Sequence, residues 1–169
     1  MGTNQEEMLH ILEQFSLTDE ERASLAPLRA QSLRVIVLTE DWCGDAMLNN
    51  PILLKIAEEI GMETRFLHRD QNLELMDQYL TNGTARSIPI FIFMDEAGEE
   101  VAVWGPRAES LQELVDEKRS NLPSQDNPLF KDAQLEMYKG LMTAYKSDAA
   151  LWHAVAQSII RRLQDTLSK

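Results

Sequence analysis

Cys43, the single cysteine of the chain, is the residue best suited to covalent chemistry. It follows an apolar run that predicts a strand, and helical periodicity begins at its neighbour Gly44. A thiol at the start of a helix faces unpaired amide hydrogens and the positive end of the helix dipole, and both favour the nucleophilic thiolate. Glu40, Asp41 and Asp45 act in the opposite direction, because nearby negative charge raises the pKa of a thiol. The sequence leaves open which effect dominates.

A single cysteine also excludes several kinds of chemistry. The chain can form no intramolecular disulfide, CxxC redox pair or cysteine-based zinc site. It contains no HxH or HExxH metal motif and no glycine-rich or Walker nucleotide motif, so we expect neither a metal nor a cofactor. The three histidines, His10, His68 and His153, are isolated from one another, which favours structural roles.

Charge and length narrow the classes of partner. With 16 basic and 28 acidic residues, the formal net charge of −12 repels nucleic-acid phosphates and anionic membrane surfaces. The longest apolar runs are far too short to cross a bilayer, and the first residues lack the pattern of a secretory signal. We therefore expect a cytoplasmic protein that binds neither nucleic acid nor membrane.

Hydrophobic periodicity predicts alternating helices and strands. Two short helices come first, the second opened by a capping box at Thr18, and an apolar run at 33–38 predicts a buried strand. A long helix containing Pro51 and a strand at 63–68 complete a βαβ unit, whose two strands are parallel. A shorter helix over 73–80 follows.

The second half of the chain adds an antiparallel pair and three helices. Strands at 90–94 and 100–104 are joined by a short turn, and a helix is predicted at 107–119. Two long amphipathic helices follow, starting at Asn127-Pro128 and Ser147-Asp148.

The predicted fold class is thus α/β, with a central mixed sheet of about four strands flanked by helices. We divide the chain into a domain at 1–120, which includes the N-terminal helices, and a C-terminal helical hairpin at 121–169 that packs on it.

This order of elements, with a cysteine at the first strand-to-helix turn, resembles the thioredoxin fold. Residues 42–44 (Trp-Cys-Gly) are similar to the first three residues of the thioredoxin WCGPC motif, and Pro51 stands where thioredoxins have a kinking proline. Residues 86–89 (Arg-Ser-Ile-Pro) resemble the segment that contains the family's cis-proline, and Gly105 matches the glycine after the fourth strand. The resemblance covers about residues 31–119.

Two parts of the dithiol mechanism of thioredoxins are missing. Ala46 stands at the position of the second cysteine and Asp45 at that of the intervening proline, while Val37 replaces the buried acid. The resulting WCGDA segment resembles that of uncharacterised bacterial thioredoxin-like proteins, which supplies a class but no known reaction.

The resemblance implies a thiol-disulfide oxidoreductase without the second cysteine. Cys43 would be the catalytic residue and would form mixed disulfides with a protein or a low-molecular-weight thiol or disulfide, which an external thiol would resolve. The residues expected to contact the substrate are Trp42, Gly44, Asp45, Ile88 and Pro89. We further expect the Ile88–Pro89 peptide bond to be cis, against the base rate for X–Pro bonds.

Other interpretations remain open at this point. The chain could be a binding module that kept the thioredoxin groove and lost catalysis, or a sensor whose thiol is oxidised to sulfenic acid. Cys43 would then be either an inert buried residue or an oxidation site. Asp45 has an equally simple interpretation as an acid in the first turn of a helix.

Overall fold

The computed structural model describes residues 4–167, which form seven α-helices and a four-stranded sheet. Short 3₁₀ helices lie at Ala26–Gln31 and Arg69–Gln71. In chain order the elements are α1 (Gln5–Gln14), α2 (Asp19–Leu25), β1 (Arg34–Thr39), α3 (Gly44–Ile60), β2 (Glu63–His68), α4 (Leu73–Met76), β3 (Ile90–Met94), β4 (Glu100–Trp104), α5 (Glu109–Ser120), α6 (Phe130–Ser147) and α7 (Ala149–Leu167). No helix within the described residues is long and apolar enough to cross a membrane.

The sheet has the strand order β2-β1-β3-β4. β1 pairs in parallel with β2, and both the β1–β3 and the β3–β4 pairs are antiparallel. This arrangement confirms the predicted mixed sheet. The bounds of β2, β3 and β4 are those that the sequence predicts, whereas β1 begins and ends one residue later than predicted.

Helix α3 connects the two parallel strands and is the most deeply buried helix. Its buried residues occupy every side of the first two turns, because the helix is covered by the sheet, by α1 and by α7. Pro51 lies inside it, as predicted, and Gly61 ends it with the positive φ of 69° that a C-terminal glycine adopts without strain. This buried helix holds Cys43, its N-cap residue, in a fixed place.

The C-terminal helices pack on the sheet and on α3. Trp104 of β4 stacks on Phe91 at 5.1 Å between ring centroids and donates its indole N–H to Ser158 of α7. Trp152 is buried at the start of α7 and donates to the carbonyl of Tyr145. These contacts place the apolar stripe of the hairpin in the same core as the sheet.

Two predicted helices are shorter in the structure. The helix expected over 73–80 ends at Met76, and turns follow, because Asn82 and Gly83 both adopt positive φ and lead into an isolated bridge between Thr81 and Ala85. The prediction of a longer helix was wrong because its apolar spacing reflects burial of single side chains against the sheet.

The first helix of the hairpin also starts later than predicted. It begins at Phe130, since the side chain of Asn127 accepts a hydrogen bond from the Leu129 N–H and so shapes the turn that precedes the helix. Asn127 is therefore a turn residue rather than the helix cap.

Gly105, which follows β4, is expected to be intolerant of any side chain. Its φ is +129°, and a Cβ there would overlap the backbone carbonyl of Pro89. We expect Gly105→Ala to lower the free energy of unfolding by about 2–3 kcal/mol, from backbone strain and this clash together. Urea denaturation measures it, with Gly98→Ala as control, where φ is also positive but no atom lies within 4 Å of the added Cβ. Equal losses in the two variants would show that the contact with Pro89 has no energetic weight.

Candidate active site

Cys43 is the N-cap residue of α3 and is buried, with 8% of its surface exposed. Its Sγ lies 3.5 Å from the carbonyl oxygen of Ile88, to which the thiol donates a hydrogen bond. Its backbone N–H donates to the carbonyl of Glu40 at 3.3 Å. The structure therefore brings together Cys43 and the Ile88–Pro89 segment that the sequence assigns to the site.

The pKa of the Cys43 thiol is raised above its usual value. Burial is the main cause, and the negative charge of Asp45 acts in the same direction. The backbone N–H groups of Ala46 and Asp45, together with the positive charge of Arg107, lower the pKa but do not compensate. The balance that the sequence left open is thus decided mainly by desolvation.

Asp45 is held by an ion pair with Arg107, the second residue after the cis Gly105–Pro106 bond. Its two carboxylate oxygens lie 3.0 Å from Nε and 2.8 Å from Nη2 of the guanidinium, a bidentate arrangement. Only 15% of the Asp45 side chain and 17% of the Arg107 side chain are exposed. The Asp45 carboxylate is therefore anchored to the loop after β4.

Tyr145 of α6 completes this cluster. Its hydroxyl donates to Oδ1 of Asp45 at 3.1 Å, which ties the C-terminal hairpin to the first turn of α3. Burial, followed by the charge of Asp45, raises the pKa of Tyr145 well above its usual value. Burial alone would lower the pKa of Arg107, but Asp45 and then Tyr145 keep it above its usual value. Tyr145 therefore stays protonated and Arg107 stays positively charged at neutral pH.

Helix α6 also covers Gly44. A Cβ built on Gly44 would lie 2.6 Å from Sδ and Cε of Met142, so this methionine rests directly on the glycine backbone. A side chain at position 44 would have to displace the end of Met142. One side of the Cys43 turn is consequently closed by the hairpin.

Trp42 lies on the open side of the turn and is 55% exposed. The guanidinium of Arg69 lies 5.1 Å from the centre of its ring, and the same group donates to the carbonyl of Arg86 at 3.0 Å. Arg69 thereby connects the indole to the segment that ends in Ile88 and Pro89.

Ile88 and Pro89 are both buried, and the peptide bond between them is cis. A second cis bond, Gly105–Pro106, was not foreseen in the sequence. The side-chain amide of Asn49 in α3 donates to the carbonyl of Pro106 at 2.9 Å. This Asn49–Pro106 hydrogen bond joins the loop that carries Arg107 to the helix that carries Asp45.

Glu40, one of the acids near Cys43 in the sequence, is buried, and each of its carboxylate oxygens has a partner. Its two carboxylate oxygens contact the Asp70 N–H at 2.9 Å and Nδ1 of His68 at 3.2 Å. Glu40 therefore holds the loop after β2 in place. His68 has the structural role that its isolation in the sequence favours.

Sequence reasoning missed Arg107, Tyr145 and Met142 as neighbours of the site. Arg107 follows Gly105-Pro106, and a glycine–proline pair after a strand signals a turn, but nothing in the sequence aims this arginine at Asp45. Tyr145 is 100 residues away from Asp45, and its helical spacing identifies only an apolar face. Only the packing of the hairpin reveals these contacts.

Comparisons with known proteins agree with the fold described above. A family model described as thioredoxin matches residues 1–119. The fold is similar to that of a protein of unknown function from Pseudomonas aeruginosa, known from a 1.5 Å crystal structure, with a TM-score of 0.67 and 16% identity over 96% of this chain and 84% of that one. An HIV epitope scaffold gives a TM-score of 0.63 and 18% identity, over 94% of this chain and 84% of that one.

No functionally curated protein matches the chain. The two structural similarities are below 25% identity and establish the fold alone. The family match extends over more than half of the chain and includes Cys43, Ile88 and Pro89. The protein therefore belongs to the thioredoxin family.

Proposed function

We propose that the protein is a single-cysteine thiol redox protein, in which Cys43 forms mixed disulfides that an external thiol resolves. The observation that supports this most directly is the placement of Cys43. Its sulfur lies at the N-terminus of α3, against the Ile88 carbonyl, and the preceding residue, Trp42, has an exposed indole. A disulfide bound along residues 88–89 would present a sulfur atom to the thiol from this side.

The proposed reaction is a thiol–disulfide exchange in two steps. The Cys43 thiol loses its proton to solvent, and the thiolate attacks one sulfur of a disulfide RSSR, so that Cys43–SSR forms and RS⁻ leaves and is protonated. A free thiol R′SH then attacks the R sulfur, which regenerates Cys43 and releases RSSR′. The chain has no second cysteine, so both the disulfide and the free thiol must come from outside.

The raised pKa of Cys43 sets the expected pH dependence. A thiol whose pKa is above its usual value is protonated at neutral pH, so the thiolate fraction increases about tenfold for each pH unit until the pKa is reached. We expect the rate of Cys43 alkylation by iodoacetamide to rise log-linearly from pH 6.5 to 8.5 without a plateau. Mass spectrometry of quenched samples measures it, with Cys43→Ser as the unreactive control.

A plateau anywhere between pH 6.5 and 8.5 would contradict this expectation and would mean that the helix N-terminus outweighs burial. Mixed-disulfide formation with a small disulfide in excess should follow the same pH profile, because both reactions use the thiolate. Formation of the adduct and its removal by a small thiol are the results that the proposal requires.

The second candidate function is a non-catalytic binding module. The burial of Cys43 and its raised pKa favour it, because they make the thiol a weak nucleophile at neutral pH. A module of this kind would bind partners through Trp42 without using the sulfur. If Cys43 forms no adduct even at pH 8.5 in native protein, but does so in urea, the binding module is the better assignment.

A further inference from the structure

A cavity of about 340 Å³ lies between α1, α3 and β2, and Cys43 does not line it. Its volume falls at the lower end of the ~300–1,000 Å³ range of small-molecule sites. Its walls are largely apolar. The apolar lining residues are Met8, Leu9, Leu12, Pro51, Leu54, Phe66 and Leu67.

The apolar walls are exposed where the cavity opens. Leu9 of α1 is 48% exposed and Phe66 of the edge strand β2 is 45% exposed, values that are high for large apolar side chains. Both residues line the same cavity. An apolar group that entered it would remove their surface from water, which is favourable in proportion to the area covered.

The polar part of the wall contains an unsatisfied acceptor. Asn50 is 5% exposed and donates its amide to Oγ1 of Thr39 at 3.0 Å. Its Oδ1 has no hydrogen-bond partner among residues 4–167. A buried amide oxygen without a partner is unfavourable. This oxygen is closed to solvent, so an N–H donor in the cavity would satisfy it only if the Asn50 side chain turned toward the cavity.

The charge on the lining is negative. Asp41 lines the cavity and is exposed. Among residues 4–167, its carboxylate has no ion pair and no lysine or arginine lines the cavity. His68 also lines it, but a charge on its ring would be matched by Glu40, which it contacts at 3.2 Å. The charge complementary to this lining is positive.

We propose that the cavity binds a small organic ammonium ion with an apolar body, such as an arylalkylamine. The apolar body would fill the space between α1 and β2. The positive charge of the ammonium group complements the Asp41 carboxylate. Its three N–H donors also match the unpartnered Asn50 oxygen, which a ligand would reach only if the Asn50 side chain turned toward the cavity. This site is separate from Cys43, so the proposal does not depend on the proposed redox function.

The test uses three probes of similar size and shape: 4-phenylbutylammonium, 4-phenylbutanol and 4-phenylbutyrate. We expect the ammonium ion to bind most tightly and at least about threefold more tightly than the alcohol, and the carboxylate to bind most weakly. Calorimetry or NMR titration of the full chain gives the dissociation constants. The resonances that shift should include those of Leu9, Asn50 and Phe66.

Two pairs of variants separate specific binding from general attraction to an acidic protein. Asp41→Asn should abolish the preference for the ammonium ion over the alcohol, whereas Asp126→Asn, an equal charge change in an exposed loop, should preserve it. Phe66→Ala should weaken binding of all three probes about threefold or more, whereas Leu135→Ala, which removes a similarly exposed apolar residue on α6, should not.

Three results would each overturn the proposal. They are the absence of binding by all three probes at millimolar concentration, equal affinity for the carboxylate and the ammonium ion, and equal effects of Asp41→Asn and Asp126→Asn. None of these results bears on Cys43, so a failure here leaves the redox proposal to its own experiments.

Discussion

Replacing Arg107 with leucine is expected to lower the free energy of unfolding by about 2–4 kcal/mol, because Asp45 would keep a largely buried charge without its counter-ion. For a chain of this size the melting temperature should fall by roughly 5–10 °C. The Tyr145 hydroxyl, 3.1 Å from Oδ1, would be the remaining side-chain partner of the carboxylate. Thermal and urea denaturation measure the loss.

The chain offers a matched control for this experiment. Arg86 forms the same kind of bidentate pair with Asp77, at 2.7 and 3.0 Å, but both side chains are about half exposed, 48% and 46%. Exposed pairs contribute little to stability because water screens both charges, so Arg86→Leu should change stability little. Equal losses in the two variants would show that burial of the Asp45–Arg107 pair is not what makes it important.

Substitutions of the two members of this ion pair, Arg107→Leu and Asp45→Asn, should also change the reactivity of Cys43, in opposite directions. The charge of Arg107 lowers the pKa of the thiol and the charge of Asp45 raises it. Arg107→Leu should therefore slow alkylation of Cys43 at pH 7.5, and Asp45→Asn should accelerate it. Rates are to be compared under conditions where each variant is folded. Changes of the same sign in both variants would indicate that altered exposure, rather than charge, controls the thiol.

The Asp45–Arg107–Tyr145 cluster shows where prediction from sequence reached its limit. Hydrophobic periodicity located the strands and most helices, because the spacing of apolar residues within a short segment is enough to identify each element. It also placed Cys43 at the strand-to-helix turn, since that requires only local order. Which side chain faces Asp45 depends on how α6 docks against α3, and docking is set by shape complementarity across distant segments.

The effect of burial on the pKa of the Cys43 thiol could not be predicted from the sequence either. The acids and the helix N-terminus near Cys43 can be read directly from it, and they suggest opposing effects of similar size. The dominant effect, desolvation, arises because Cys43 is packed with Ala46, Met76 and Ile88, residues from three separate parts of the chain. A pKa argument from neighbouring charges alone therefore misses its largest contribution.

The contacts of the residues around Cys43 show that they have different structural roles. Gly44 leaves room for the end of the Met142 side chain, which would have to shift if position 44 carried a side chain, and Asp45 anchors Arg107 and Tyr145. In this chain helix α6 packs on Gly44 through Met142 and hydrogen-bonds to Asp45 through Tyr145. Trp42, by contrast, is exposed. Asp45, which departs from the thioredoxin motif, thus contacts one of the added C-terminal helices, α6.

Restoring the missing thiol with Ala46→Cys should raise the turnover of a protein disulfide at least about tenfold when a thioredoxin reductase supplies electrons. The proposed single-thiol mechanism leaves wild-type protein trapped as a mixed disulfide until a small thiol releases it. Cys43 is the N-cap residue and position 46 lies in the first turn of α3, three residues on, so the two sulfurs could meet.

The gain should be partial for two structural reasons. Val37 is buried and cannot act as the proton acceptor that thioredoxins place there, and burial keeps the pKa of Cys43 high. The position of Ala46 is itself fully buried, so a sulfur atom there adds volume to a packed site. The assay compares wild type, Ala46→Cys, Cys43→Ser and the Cys43→Ser/Ala46→Cys double variant, whose lone thiol at 46 controls for a new reactive cysteine.

Each result of this assay has a definite meaning. Turnover in Ala46→Cys that disappears in the double variant would show that Cys43 is the attacking thiol. Robust multiple turnover by wild type without added small thiol would contradict the single-thiol mechanism, because the chain holds no second sulfhydryl to release the product. If no variant turns over and Cys43 forms no adduct, the exposed indole of Trp42 becomes the functional feature of this turn, and the protein is a binding module.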